Sequence, residues 1–170
     1  VGSMAVAGGL VDRAACVTSS HFASAEKEFR FPLSYGNQRP LSATWTVTGS
    51  AAFLLASGDV KKARAKVAGV TFGKIMDYGI KDSMNMGACM APAAADSIKQ
   101  HLADFGRAPG DYDKIITGDL GSVGQQLLFE LLAKDGIDIT KQHMDCGMEI
   151  SVSEKQNTNT GGSDCGCAAV

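Results

Sequence analysis

Few residues in this chain could carry chemistry, and their spacing narrows the choice. The histidines are His21, His101 and His143, and the cysteines are Cys16, Cys89, Cys146, Cys165 and Cys167. His21 follows Thr18-Ser19-Ser20 at the end of an apolar run, Ala14 to Val17. A strand ending in small hydroxyls and an imidazole puts donors and acceptors at its carboxyl edge, where open α/β sheets bind ligands. His21 is there a general base, a ligand donor or a structural histidine, and sequence names no partner for it. Asp119 sits between a short strand and a helix start, where backbone N–H groups face a ligand. It reads equally well as a loop carboxylate capping nearby amides.

Other motifs are excluded by their spacing. Gly118, Gly121 and Gly124 do not match a dinucleotide fingerprint, and no Gly-Lys-Ser/Thr follows for a P-loop. Cys165-Gly-Cys167 lacks the spacing and the second pair of a structural zinc site, so packing is expected. Cys146 needs a base close by to act as a nucleophile. His143 is the candidate nearest in sequence, and an irregular segment gives no reason for the two to face each other. His101 is expected on the exposed side of its helix, with no role. Met84, Met86 and Met90 read as adaptable core packing, and Glu26, Lys27, Glu28 and Arg30 as a solvated face.

These residues must be positioned by a mixed α/β arrangement. Ala14 to Thr18 reads as a strand and Ala23 to Phe29 as a short helix. Thr44-Trp45-Thr46-Val47-Thr48 alternates strictly, opening a long β run from Ala43 to Ala56. Ser57-Gly58-Asp59 is a turn signal, and Ala63 to Phe72 alternates again, so a hairpin is expected. Pro92 suits the first turn of a helix. Ala94, Ile98, Leu102 and Phe105 follow at helical spacing, with Gly106 as C-cap and Pro109 beyond. Lys114 to Thr117 reads as a strand and Gly118 to Gly121 as a tight loop. A helix then starts at Ser122, with Gln125 at capping-box spacing. Val123, Leu127, Leu128, Leu131 and Leu132 form its buried stripe, and Gly136 ends it. Val1 to Gly9 carries no helix start signal. Thr140 to Ile150 reads both ways, and Glu154 to Ser163 as a loop.

Composition sets outer bounds. One hundred and seventy residues suit one domain with a sizeable core. Hydrophobic residues are 45% and charged residues 20%, ordinary globular usage. A formal net charge of -2 gives no electrostatic case for nucleic acid or an anionic membrane. No apolar run approaches the ~20 residues of a membrane span, and no signal peptide is visible. Five cysteines argue against a disulfide framework and for a reducing compartment.

Long motifs carry a resemblance. TSSHF (Thr18 to Phe22), AEKEFRFPLSYGNQRP (Ala25 to Pro40) and WTVTGSAAFLL (Trp45 to Leu55) resemble stage V sporulation protein AD, the SpoVAD family of spore-forming bacteria. So do DYGIKDSMNMGACMAPAAADSI (Asp77 to Ile98), TGDLGSVGQQLL (Thr117 to Leu128) and MDCGMEI (Met144 to Ile150). The resemblance implies part of a layered thiolase-like fold, residues 1–170 forming one partial domain. That domain would hold the end of a first half and most of a second. Family members are longer, and Val1 and the strand-like Gly166 to Val170 read as the ends of an interior fragment.

The resemblance also implies a function. SpoVAD-like proteins bind dipicolinic acid and take part in its uptake into the developing spore, with other SpoVA membrane proteins as partners. Thiolases and ketoacyl synthases use a nucleophilic Cys, with His and Asn or two His. By resemblance the Cys falls upstream of Val1, and the other positions fall near Gly118-Asp119 and Gly162-Ser163, which offer no imidazole. Asp164 stands where members have Gly. A non-enzymatic protein is therefore expected, without cofactor, with dipicolinic acid as ligand and calcium as its companion ion. The alternative is an acyltransferase acting on acyl-CoA or acyl-carrier protein. Ser19, Ser20, His21, Asp119, Gly162, Ser163 and Cys165 are the expected ligand-binding residues, and no metal-ligating set is expected. The implied location is cytoplasmic or peripheral at the spore inner membrane, with a homodimer as a candidate assembly.

Overall fold

The computed structural model describes residues 1–20, 42–44, 48–58, 60, 62–118 and 120–151. The elements are α1 (Gly2–Ala7), β1 (Arg13–Ser20), β2 (Gly49–Ala56), α2 (Met86–Phe105), a 3₁₀ turn (Pro109–Asp111), β3 (Ile115–Thr117), α3 (Gly121–Ala133), β4 (His143–Asp145) and α4 (Cys146–Ile150). This is the expected mixed α/β class. The expected helix at Ala23 to Phe29, the alternation at Trp45 to Val47 and the loop at Glu154 to Ser163 lie outside the described residues.

β1 and β2 pair antiparallel, Arg13 opposite Ala56 through Ser20 opposite Gly49. The expected hairpin between β2 and Ala63 to Phe72 is not formed. Residues 63–81 hold no strand or helix beyond isolated turns and bends. That segment docks on α2 instead. Thr71 Oγ1 lies 2.8 Å from His101 Nδ1, and Lys74 Nζ lies 3.0 Å from Asp96. Gly69 packs against the outer end of the Phe105 ring, which a side chain there would displace. These side-chain contacts compete with the strand pairing that alternation alone suggests. His101 is thereby half-buried, its Nε2 2.7 Å from Tyr112 Oη, and not the free surface group expected.

α2 begins six residues before Pro92. Asn85 caps it, its Oδ1 accepting from Ala88 N at 3.0 Å. Pro92 is therefore interior and removes the helical donor to Ala88. The early start places Gly87, Ala91 and Ala95, four residues apart, on one ridge. Ala91 and Ala95 are buried with Leu120, Leu128, Leu132 and Ile139, forming the core between α2, α3 and the β3–β4 pair. Met86 and Met90 lie within α2, and Met90 packs on that core. The C-cap is as expected: Gly106 takes φ 58°, and Arg107 N donates to Leu102 O at 2.9 Å.

β3 and β4 form a parallel pair, Thr117 opposite Asp145. α3 starts at Gly121, with Leu120 at the cap position and no side-chain cap bond. The expected box does not start the helix at Ser122, because α3 begins at Gly121 and Ser122 falls inside it. The stripe does form, with Leu128 and Leu132 fully buried and Leu127 and Leu131 packed beside them. α1 is a further departure: six small or apolar residues form a short helix where no start signal exists. No helix among the described residues is long and apolar enough to cross a membrane.

Candidate functional site

Parallel pairing of β3 and β4 brings their carboxyl ends side by side, and each strand runs on toward a helix. A polar cluster is built there. Strand period two puts His143 and Asp145 on one face of β4, and register sets Thr117 against Asp145. Thr117 Oγ1 lies 3.1 Å from Asp145 Oδ2 and 2.9 Å from His143 Nε2. Gln125, one turn into α3, brings its Nε2 within 3.0 Å of His143 Nδ1. Phe129, one turn further, meets the imidazole edge-on at 5.2 Å.

Donor and acceptor counting fixes the direction of this chain of bonds. A carboxylate oxygen accepts, so the single Thr117 proton goes to Asp145. Thr117 then accepts from His143 Nε2–H, and His143 Nδ1 accepts from the Gln125 amide. Asp145 is 1% exposed. Its other oxygen accepts from Met148 N at 3.4 Å, capping α4. Both imidazole nitrogens are engaged, so His143 sets geometry and presents no lone pair to a ligand. The cluster ties β3, β4, α3 and α4 together at the carboxyl end of β3.

Burial pushes the His143 imidazole below its ordinary 6.5, with the Asp145 carboxylate opposing that shift. The unfolded chain then binds more protons than the folded one in this window, so stability rises with pH. The contribution is complete above the unfolded value and is lost as pH falls through the folded one. Urea midpoints at pH 7.5 and 5.5 are expected to fall more for the wild type than for His143→Gln. Equal falls in both proteins would remove His143 as the source.

The expected site residues are only partly placed. Ser19, exposed, and Ser20, half-buried, end β1 as expected. They belong to the β1–β2 sheet, separate from the β3–β4 pair. His21, Asp119, Gly162, Ser163 and Cys165 lie outside the described residues. Gly118 directly follows β3, so the loop is at the carboxyl edge as expected. The His143–Cys146 pairing is absent: Cys146 is fully buried and disulfide-bonded, and His143 is engaged elsewhere. A disulfide at Cys146 departs from the expectation, read from the five cysteines, of reduced thiols. Sequence reasoning passed over Gln125, Asp145 and the true partners of His143. The alternation His-Met-Asp after an apolar helix was the available signal.

Two cavities, of about 300 and 250 Å³, lie away from this edge. One is lined by Pro109, Asp138 and Lys141, the other by Tyr78, Pro92 and Lys99. Neither includes a residue of the cluster.

Comparison with known proteins agrees with the motifs. The family described as Stage V sporulation protein AD (SpoVAD) matches residues 1–170. Stage V sporulation protein AD of Bacillus subtilis (strain 168) is 46% identical over 172 residues, covering 100% of this chain and 49% of the relative. This chain thus spans about half the length of that relative. A family match over every residue, joined to that identity, places it: the chain belongs to the SpoVAD family of stage V sporulation proteins.

Proposed function

We propose that this chain is part of a non-enzymatic protein that binds dipicolinic acid, with calcium, for uptake into the developing spore. The SpoVA membrane proteins are its partners in that reading, and it works in the cytoplasm or at the spore inner membrane. The observation that carries the reading is family membership over the whole chain. Local structure supports it. A planar dianion needs hydroxyls, N–H donors and an apolar or aromatic wall. Ser19 and Ser20 end one strand, and Gly118 opens a loop before the N-terminus of α3, where the helix dipole favours negative charge. By resemblance, Gly118 falls where an acyltransferase would carry an imidazole. His143, at the start of the neighbouring strand β4, is committed to Thr117 and Gln125.

Calorimetric titration of dipicolinate, with and without calcium, into this chain and into the full-length relative tests the proposal. Saturable heat that grows with calcium is expected, with weaker binding by the 170-residue chain. One wall of a cleft cannot desolvate a dianion, so each contact stays screened. No heat from either protein under any calcium condition would end the dipicolinate reading. Equal affinity of the two would place the whole site within residues 1–170.

A further inference from the structure

Asp145 fixes the orientation of an amide three hydrogen bonds away. Its carboxylate takes the Thr117 proton, which leaves Thr117 Oγ1 to accept from His143 Nε2–H. The neutral imidazole then carries its one lone pair on Nδ1, and Gln125 presents its NH₂ group there, at 3.0 Å. Nδ1 is therefore the single position on the ring that can take up a proton, and that proton arrives opposite a donor. β3 faces the ring with Thr117, and α3 faces it with Gln125 and Phe129, all neutral. Among the described residues, Asp145 on β4 is the one charged group acting on the imidazole. Burial resists the charge and Asp145 favours it, so the outcome turns on what Gln125 does.

We propose that His143 and Gln125 form a proton-driven switch between β4 and α3, in which uptake of a proton at Nδ1 turns the Gln125 amide over and sets Oε1 against the ring in place of NH₂. The turn is about a terminal sp³–sp² torsion, which is broad and roughly two-fold. Oxygen and nitrogen exchange places in nearly the same volume, so the helix and the strand need not move apart. Gln125 makes no other side-chain bond among the described residues, and it is half-buried, so water can take up its displaced NH₂ group. Without the turn, two donors would face each other and both would go unsatisfied. With it, a neutral hydrogen bond is exchanged for a charge-assisted one, roughly twice as strong. Thr117 accepts from Nε2–H in both states, so β3 keeps its hold on the ring. Thr117 is also the last residue of β3 and directly precedes Gly118. Acid therefore changes the polar lining at the carboxyl end of β3 without moving a strand or a helix. The switch works in the ligand-free protein and is independent of the dipicolinate reading.

Nitrogen-15 NMR of the ligand-free chain tests the switch. Above neutral pH the ring proton is expected on Nε2, with a scalar coupling across the hydrogen bond between Gln125 Nε2 and His143 Nδ1. As the ring titrates, that coupling is expected to vanish. The Gln125 side-chain amide signals are expected to shift with the same midpoint as the imidazole. Gln125→Glu removes the opposing donor and supplies a charged acceptor, so its imidazole is expected to titrate at higher pH than that of the wild type. That second readout is taken near neutral pH and stands even if the wild type unfolds in acid, while the first stands if Gln125→Glu fails to fold. Gln125 signals that do not follow the imidazole midpoint overturn the proposal. So does a coupling that persists through the midpoint, or a neutral ring protonated on Nδ1. An imidazole in folded Gln125→Glu that titrates no higher than in the wild type overturns it as well.

Discussion

Replacing Gly124 by Ala is expected to destabilise the protein by about 3 kcal/mol, although the change is to a better helix former. Gly124 lies inside α3, where Ala alone would be favoured by about 1 kcal/mol. Packing reverses the sign. A Cβ at Gly124 would lie 2.7 Å from Gly87 Cα and 2.9 Å from Leu120 Cβ. A Cβ at Gly87 would lie 2.6 Å from both Gly124 N and Leu120 O. Most of these neighbours are backbone, which cannot rotate aside. The helices would have to part, and the contacts of Ala91, Ala95 and Leu128 would loosen with them. Overpacking of this kind costs about 1–3 kcal/mol, and more where backbone must move. Gly110→Ala is the control, since nothing lies within 4 Å of its Cβ position. Urea denaturation should show a large fall in midpoint for Gly124→Ala and for Gly87→Ala, and little change for Gly110→Ala. A Gly124→Ala protein as stable as wild type would show that the helices do not cross this closely.

The contrast between these glycines shows what the sequence carries and what it does not. Gly106 was legible because its role is local: a left-handed residue after an apolar stripe, followed by Pro109, ends a helix wherever it occurs. The β3–loop–α3 unit was legible for the same reason, and so was β1 as an element. Gly87 and Gly124 matter through each other across 37 positions, and no local pattern announces that contact. The start of α2 was misplaced because Pro92 is a strong local signal. Asn85 and the fit of Gly87 against Gly124 outweigh its one lost hydrogen bond. The fate of residues 63–72 was misread for a related reason. Alternation makes a strand available, but Thr71, Lys74 and Gly69 have partners on α2 that only the tertiary fold provides. A pairing of His143 with Cys146 is not expected from the sequence and does not form; what the sequence leaves open is the actual partners, since parallel pairing delivers Thr117 and helix phase delivers Gln125.

Asp145 is where that hidden register should cost most. Asp145→Ala is expected to lower stability by about 2–4 kcal/mol, the sum of two lost bonds to a buried carboxylate. One bond is from Thr117 Oγ1, and the other is the cap on Met148 N at the start of α4. Losing the cap alone is worth about 1 kcal/mol. The larger part comes from Thr117, whose proton would be left in a half-buried site with His143 already donating to the same oxygen. Asp145→Asn separates the two. Its remaining carbonyl oxygen serves either Met148 N or Thr117, and its NH₂ group cannot accept, so about half the loss is expected. The order wild type, Asn, Ala in urea midpoint is therefore the prediction. The imidazole should report the same order by NMR. With Asp145 neutralised, the opposing charge is gone and the His143 titration should move further below its ordinary range. A His143 titration that stays put or rises in Asp145→Asn would show that this carboxylate does not govern the cluster. Thr117 and Gln125 would then have to hold the carboxyl edge without it.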